Sequence, residues 1–326
     1  VKLDPELAEQ SRRPFLRQAA LDALKAARHR PAWATPTLAA HYRRTRKLGS
    51  HDRRSVQEAV LGVIRHEHIL TRAGRRGDAD LLEGWAQLVE GERLADVAPS
   101  SPVADYATAL SIDLPLAQDW LTALGPVEAV ALAQAMNQRA PIELRANRLR
   151  CDRHALAARL RSEGVLTTLH PRAPDGLVVE GRANLVALRS FREGWFEVQD
   201  ASSQLLCAVL PLESGTRVVD MCAGAGGKSL ALAARGARVE AWDVRDDALD
   251  ELDKRARRAG ADIQIRRPRP APVVLVDAPC SGSGRLRRAP AVRWALDTRA
   301  HLTIQADLLA RASELVEPGG LLVYAT

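Results

Sequence analysis

Apolar residues recur at three- and four-residue spacing along the first 138 positions. The clearest case lies between positions 50 and 71, where Val56, Ala59, Val60, Val63 and Ile64 form one stripe and Ser50 or Asp52 can cap the start. Such a stripe predicts a buried amphipathic helix. Positions 115–124 and 126–138 repeat the scheme, the second opening with Pro126 at a first-turn position where a missing N–H does no harm. An all-helical domain over 1–138 is expected. Gly74-Arg75-Arg76-Gly77 and Ala98-Pro99-Ser100-Ser101-Pro102 read as connections within it.

The period then changes. Over 139–200 short runs of alternating type predict strands at 142–147, 167–170, 176–181 and 195–200. A helix falls at 152–164 and a turn or helix at 184–194, which makes a small α+β module of the ferredoxin or RRM kind. Over 201–326 strands (217–222, 238–244, 263–266, 273–279, 320–326) alternate with helices (228–235, 246–259, 302–315). That alternation predicts an α/β domain, a Rossmann-like parallel sheet with helices on both faces. No internal repeat or low-complexity tract interrupts it.

At 326 residues the chain is long enough for two or three domains. The apolar runs at 273–276 and 321–324 fall well short of the roughly 20 residues a membrane helix needs, and positions 1–20 lack an apolar signal segment, so a cytoplasmic protein is expected. The four cysteines (Cys151, Cys207, Cys222, Cys280) show no paired metal spacing, and reduced thiols are the default. His66-Glu67-His68 does not suggest a metal site, because residues two apart on a helix point to different sides; a solvated face is expected. Basic residues number 47 against 40 acidic, which points to an anionic partner such as nucleic acid. Of the 47, only five are Lys, an Arg bias that a high-GC genome also produces. Lys228 therefore marks a place where Arg would not serve. The cluster Arg43, Arg44, Arg46 and Lys47 reads equally as solvated surface or as an RNA footprint.

Candidate chemistry gathers at the carboxyl ends of the predicted strands, where ligands bind in open α/β sheets. Cys222-Ala223-Gly224-Ala225-Gly226-Gly227-Lys228-Ser229 resembles a phosphate-binding P-loop, but the first Gly of that motif falls on Cys222. Asp243 ends the second strand at the spacing that suits a ribose diol, for which a P-loop enzyme has no use. A nicotinamide enzyme would show a third glycine where Ser229 stands. An adenosine-containing cofactor is the remaining reading, and a P-loop NTPase stays as the lesser alternative.

Asp277-Ala278-Pro279-Cys280-Ser281-Gly282-Ser283-Gly284 narrows the choice. Together with the loop 220–228, Glu197 to Leu205, Arg287 to Trp294 and the final strand, it resembles the Sun-type RNA cytosine-5 methyltransferases, the RsmB-like family of ribosomal RNA enzymes. The N-terminal helices resemble, more loosely, that family's NusB-like RNA-binding domain. The resemblance implies S-adenosyl-L-methionine held by Cys222, Ala223, Gly224, Ala225, Gly226, Gly227, Lys228, Asp243 and Asp277. It implies catalytic roles for Asp277, at the base, and for Cys280, which assists product release. It also implies an RNA partner, with Arg285, Arg287 and Arg288 on its phosphates, and a monomer without metal or membrane attachment. C5 of cytosine is a poor nucleophile, so this chemistry needs a thiolate to add at C6 first. With aromatic residues at 4%, RNA recognition is expected to rest on shape and charge, with one base flipped out.

Two departures accompany the resemblance. The family's nucleophilic cysteine follows the fifth strand, and the chain ends there at Thr326. The sheet is therefore expected to stop after strand five with an open apolar edge, and the 326 residues to be inactive on RNA unless Cys280 substitutes. A catalytically silent RNA-binding protein is the alternative. The family's acidic residue after the third strand is also missing, because Arg266, Arg267 and Arg269 stand there, and one lost charge-assisted bond would weaken cofactor binding by about 1–2 kcal/mol.

Overall fold

The structure is a computed structural model and describes residues 5–29, 34–45, 48–91, 103–109 and 111–326. Ala98 to Pro102, and Arg46 and Lys47 of the basic cluster, lie outside the described residues. The chain divides into two compact units. One comprises Val1–Ala140 with Ser281–Ala300, the other Pro141–Cys280 with His301–Thr326.

The first unit is helical. Its elements are α1 (Pro5–Arg12), α2 (Pro14–Arg28), α3 (Ala34–Arg44), α4 (Ser50–Arg72), α5 (Gly77–Val89), α6 (Val103–Ala109) and α7 (Leu114–Met136). The stripe predicted on α4 is fully buried, with Val56, Ala59, Val60, Val63 and Ile64 at 0–1% exposure. Asp52 accepts the Gly49 N–H at its start. Gly62 lets α4 approach Trp85 of α5, since a Cβ there would stand 2.0 Å from the indole nitrogen. The helix α7 breaks at Gly125 (φ 75°, ψ 169°), so that Pro126 opens a fresh turn, as the two sequence segments anticipate.

His66 and Glu67 do not form a solvated face. His66 is buried and donates from Nδ1 to the Gly62 carbonyl, and burial lowers its imidazole to about 4. Glu67 accepts from Trp294 Nε1 (2.8 Å) and pairs with Arg28 (2.8 Å). The reason lies far along the chain. Residues 281–300 join the helical unit, with Arg293 donating to the carbonyls of Arg65 (2.7 Å), Ser111 (2.6 Å) and Pro290 (3.1 Å) and to Asn137 Oδ1 (3.1 Å). Four acceptors satisfy this arginine without a carboxylate, and burial lowers it to about 10.

The second unit contains two sheets. β1 (Ile142–Ala146), β2 (Thr167–Leu169), β3 (Gly176–Val179) and β4 (Phe196–Val198) form an antiparallel sheet in the order β2-β3-β1-β4. Leu144, Leu177 and Phe196 share a core there with Leu156 and Leu160 of α8 (Arg153–Ser162). The short α9 (Arg189–Arg192) and α10 (Ala201–Val209) follow.

β5 (Arg217–Asp220), β6 (Arg238–Ala241), β7 (Ile263–Ile265), β8 (Ala271–Asp277) and β9 (Val316–Ala325) form a wholly parallel sheet in the order β7-β6-β5-β8-β9. Strand residues alternate between its faces. Val218, Val273 and Leu275 bury against α10, α11 (Gly227–Ala233) and α12 (Asp246–Ala259), whereas Val219, Val274 and Val276 bury against α13 (Leu302–Leu315). Among the described residues β9 pairs with β8 alone. No described helix is long and apolar enough to cross a membrane.

Within the second unit polar contacts join the small sheet to α12: Asn147 Nδ2 donates to the Ala259 carbonyl (2.8 Å), and Glu197 pairs with Arg255 and Arg258.

Candidate functional site

Strand order fixes where the site lies. From β5 the chain builds outward through β6 and β7, then returns to lay β8 on the other side of β5, so the order reverses between β5 and β8. The loop 221–226 leaves β5 at that point, and Asp277 ends β8 beside it.

Lys228, on the first turn of α11, spans the gap and places Nζ 2.5 Å from Asp277 Oδ2. The lysine side chain is 14% exposed and the aspartate 38%, so one partner is nearly withdrawn and the other faces solvent. A compact ammonium on a flexible stem suits this confined contact better than a planar guanidinium. Below it Asp220, the last residue of β5, is buried and accepts from Ser229 Oγ at 2.6 Å. Burial raises the Asp220 carboxyl to about 6, helped by the charge of Asp277 and opposed by Ser229 and Lys228. Asp220 was not among the predicted site residues. A carboxylate ending the otherwise apolar run before a glycine loop was the available signal.

The glycines of the loop have separate reasons. Gly226 is left-handed (φ 82°), and a Cβ there would meet Leu252 Cγ of α12 at 2.7 Å, so it serves backbone shape and packing. Gly224 (φ 52°) and Gly227 are half-buried, and a Cβ added to either would make only ordinary contacts, with Arg245 Nη2 at 3.5 Å and Gln199 Nε2 at 3.8 Å. Ala223 is buried and Ala225 half-buried. Cys222 is half-buried, and its thiol is pushed up to about 12 by burial and by the carboxylates of Asp220, Asp243 and Asp277, which keeps it protonated and unreactive.

Asp243, two residues past β6, is brought to the same loop. Its Oδ2 accepts the Gly224 N–H (2.8 Å), and its Oδ1 accepts the Arg245 N–H (3.0 Å) and Arg245 Nε (3.2 Å). The Arg245 side chain is mostly exposed, so this last contact is weak and open to exchange for a ligand hydroxyl. Cys280 is exposed and free. Arg285 and Arg288 are exposed and Arg287 is half-buried, and all three belong to the helical unit. Of the basic residues after β7, Arg266 and Arg269 turn onto buried Glu240 of β6.

This arrangement fits an adenosyl cofactor better than a nucleoside triphosphate. In a P-loop the lysine must reach phosphates, whereas here Lys228 is held by Asp277. A glycine loop without bulky side chains and a carboxylate just past the neighbouring strand match the needs of a ribose and its adjoining chain.

The comparisons agree. Residues 207–326 match the 16S rRNA methyltransferase RsmB/F family, and residues 116–185 match the ferredoxin-like domain of RsmF/B-like methyltransferases. The chain is 35% identical over 217 residues to ribosomal RNA small subunit methyltransferase B of Salmonella arizonae, covering 62% of this chain and 51% of that protein. It thus spans about half the length of the curated relatives it matches. A methyltransferase homolog from Pyrococcus horikoshii aligns with a TM-score of 0.57 at 26% identity, over 70% of this chain and 77% of that one. The structure of PH0851 aligns with a TM-score of 0.75 at 19% identity, over 99% of this chain and 86% of that one, a likeness of fold. Residues 207–326 are therefore similar to the RsmB/F methyltransferases, and residues 116–185 to the ferredoxin-like domain of that group.

Proposed function

We propose that this chain serves S-adenosylmethionine-dependent methylation of cytosine C5 in RNA, with small-subunit ribosomal RNA as the substrate and the cytoplasm as its place of action. The observation that carries this reading is the Lys228–Asp277 pair at the reversal between β5 and β8, flanked by the glycine loop and by Asp243. When bound, S-adenosylmethionine supplies an electrophilic methyl group.

The chain's own residues have the following roles in this reading. The backbone of Gly224 to Lys228 and the Asp243 carboxylate hold the adenosyl portion. Lys228 keeps Asp277 oriented at the end of β8, where its carboxyl hydrogen-bonds the target base. Cys280, exposed three residues further on, assists release of the methylated base. Arg285, Arg287 and Arg288 contact RNA phosphates, which makes binding salt-dependent.

The test is deletion of the gene in the source organism followed by bisulfite sequencing of its small-subunit ribosomal RNA. Loss of one 5-methylcytosine is expected. An unchanged methylation pattern would overturn the substrate assignment.

A further inference from the structure

The small antiparallel sheet has its own core, yet its polar residues converge on the cofactor loop. Gln199, just after β4, has its backbone pinned on both sides: its N–H donates to the Glu143 carbonyl (3.1 Å) and its carbonyl accepts from Gln204 Nε2 (2.8 Å). Its side-chain oxygen accepts from buried Arg145 Nε of β1 at 2.6 Å. A guanidinium has donors only, so this contact fixes which way the Gln199 amide points, and Nε2 is left to donate to the Gly227 carbonyl at 3.0 Å. The peptide is planar and trans, so pinning that carbonyl also sets the direction of the Lys228 N–H and the start of its side chain.

A second arm reaches the other side of Gly226. Glu197 of β4, 5% exposed, takes Arg255 Nη2 (2.8 Å) on one oxygen and Arg258 Nη2 (2.5 Å) on the other. Arg255, so oriented, donates from Nη1 to the Ala225 carbonyl at 2.6 Å. Both carbonyls flanking the left-handed Gly226 are thus held from the small sheet, one through Arg145 and Gln199 and the other through Glu197 and Arg255.

We propose that the small sheet is a clamp that pre-orders the cofactor loop, with Gln199 and Arg255 as positioning residues that govern cofactor affinity without touching the cofactor. The inference rests on the reading of Gly224 to Lys228 as the loop that holds S-adenosylmethionine. A loop with two left-handed glycines loses much chain entropy when fixed, and a clamp that fixes it beforehand removes that cost from binding.

The test uses Gln199→Glu and Arg255→Met in the 326-residue chain. Gln199→Glu keeps size and gains an ion pair with Arg145, but turns an acceptor toward the Gly227 carbonyl. Its melting temperature should equal or exceed that of the unaltered chain, while its Kd for S-adenosylmethionine, read by calorimetry, rises about tenfold. Arg255→Met, which leaves the Arg145–Gln199 contact in place, should weaken binding similarly and is read in the same way. If the unaltered chain binds and both folded variants bind equally well, the clamp is overturned and the cofactor reading stands. If the unaltered chain binds no S-adenosylmethionine, the cofactor reading itself falls, and the clamp with it.

Discussion

Two buried titratable groups set opposite pH dependences. Asp220 is raised to about 6 in the fold, so the native chain holds its proton more tightly than the unfolded chain does. The stability this gives is complete below the ordinary carboxyl range near about 4 and is lost as pH rises through about 6. His66 is lowered to about 4, so its contribution is complete above about 6.5 and is lost as pH falls toward 4. The two compete across one window. Asp220→Asn keeps an acceptor for Ser229 and should make the melting temperature climb more steeply with pH between about 4 and 6. His66→Asn should flatten the climb. Thermal melts across that window check both, and an unchanged slope in Asp220→Asn would contradict the buried, proton-retaining carboxyl. For Asp220 the one signal was a carboxylate in an apolar run before the glycine loop, and His66 looked like part of a wet helix face.

Among elements, α4 and its partners give the sharpest stability predictions. Gly62→Ala gains about 1 kcal/mol of helix propensity, but it places a methyl into Trp85, which is 1% exposed and has no room to retreat. Overpacking of this kind costs about 1–3 kcal/mol, so a net loss is expected, seen as a lower urea midpoint. A higher midpoint would show that the indole can move. Arg293→Met leaves three buried carbonyls and the Asn137 amide without their donor and should destabilise the helical unit by about 2–4 kcal/mol, again by urea titration. A midpoint unchanged from that of the unaltered chain would mean that water replaces the guanidinium. The elements themselves were legible, because period-two and period-3.6 patterns are local; even the break at Gly125-Pro126 could be read. The docking of residues 281–300 onto the N-terminal helices was not, since a buried arginine bonded to carbonyls carries no pattern that spacing reveals.

For the molecule as a whole, the glycine loop, Asp243 and Asp277 could be placed together from sequence, because a parallel α/β sheet brings the carboxyl ends of its strands to one side. The Lys228–Asp277 contact was only half visible. A rare lysine in an arginine-rich chain marked one partner, but the pairing depends on the reversal between β5 and β8. Arg145, Glu197 and Gln199 read as ordinary polar positions in short strands, and their grip on the loop appears only when the small sheet is set against α12. The most direct test of the central claim is calorimetric titration of the 326-residue chain with S-adenosylmethionine, repeated with Asp243→Ala and with ATP. The account predicts one binding site for S-adenosylmethionine, weakened about tenfold or more by Asp243→Ala, and no binding of ATP at the same concentrations. Binding of ATP with no response to S-adenosylmethionine would contradict it.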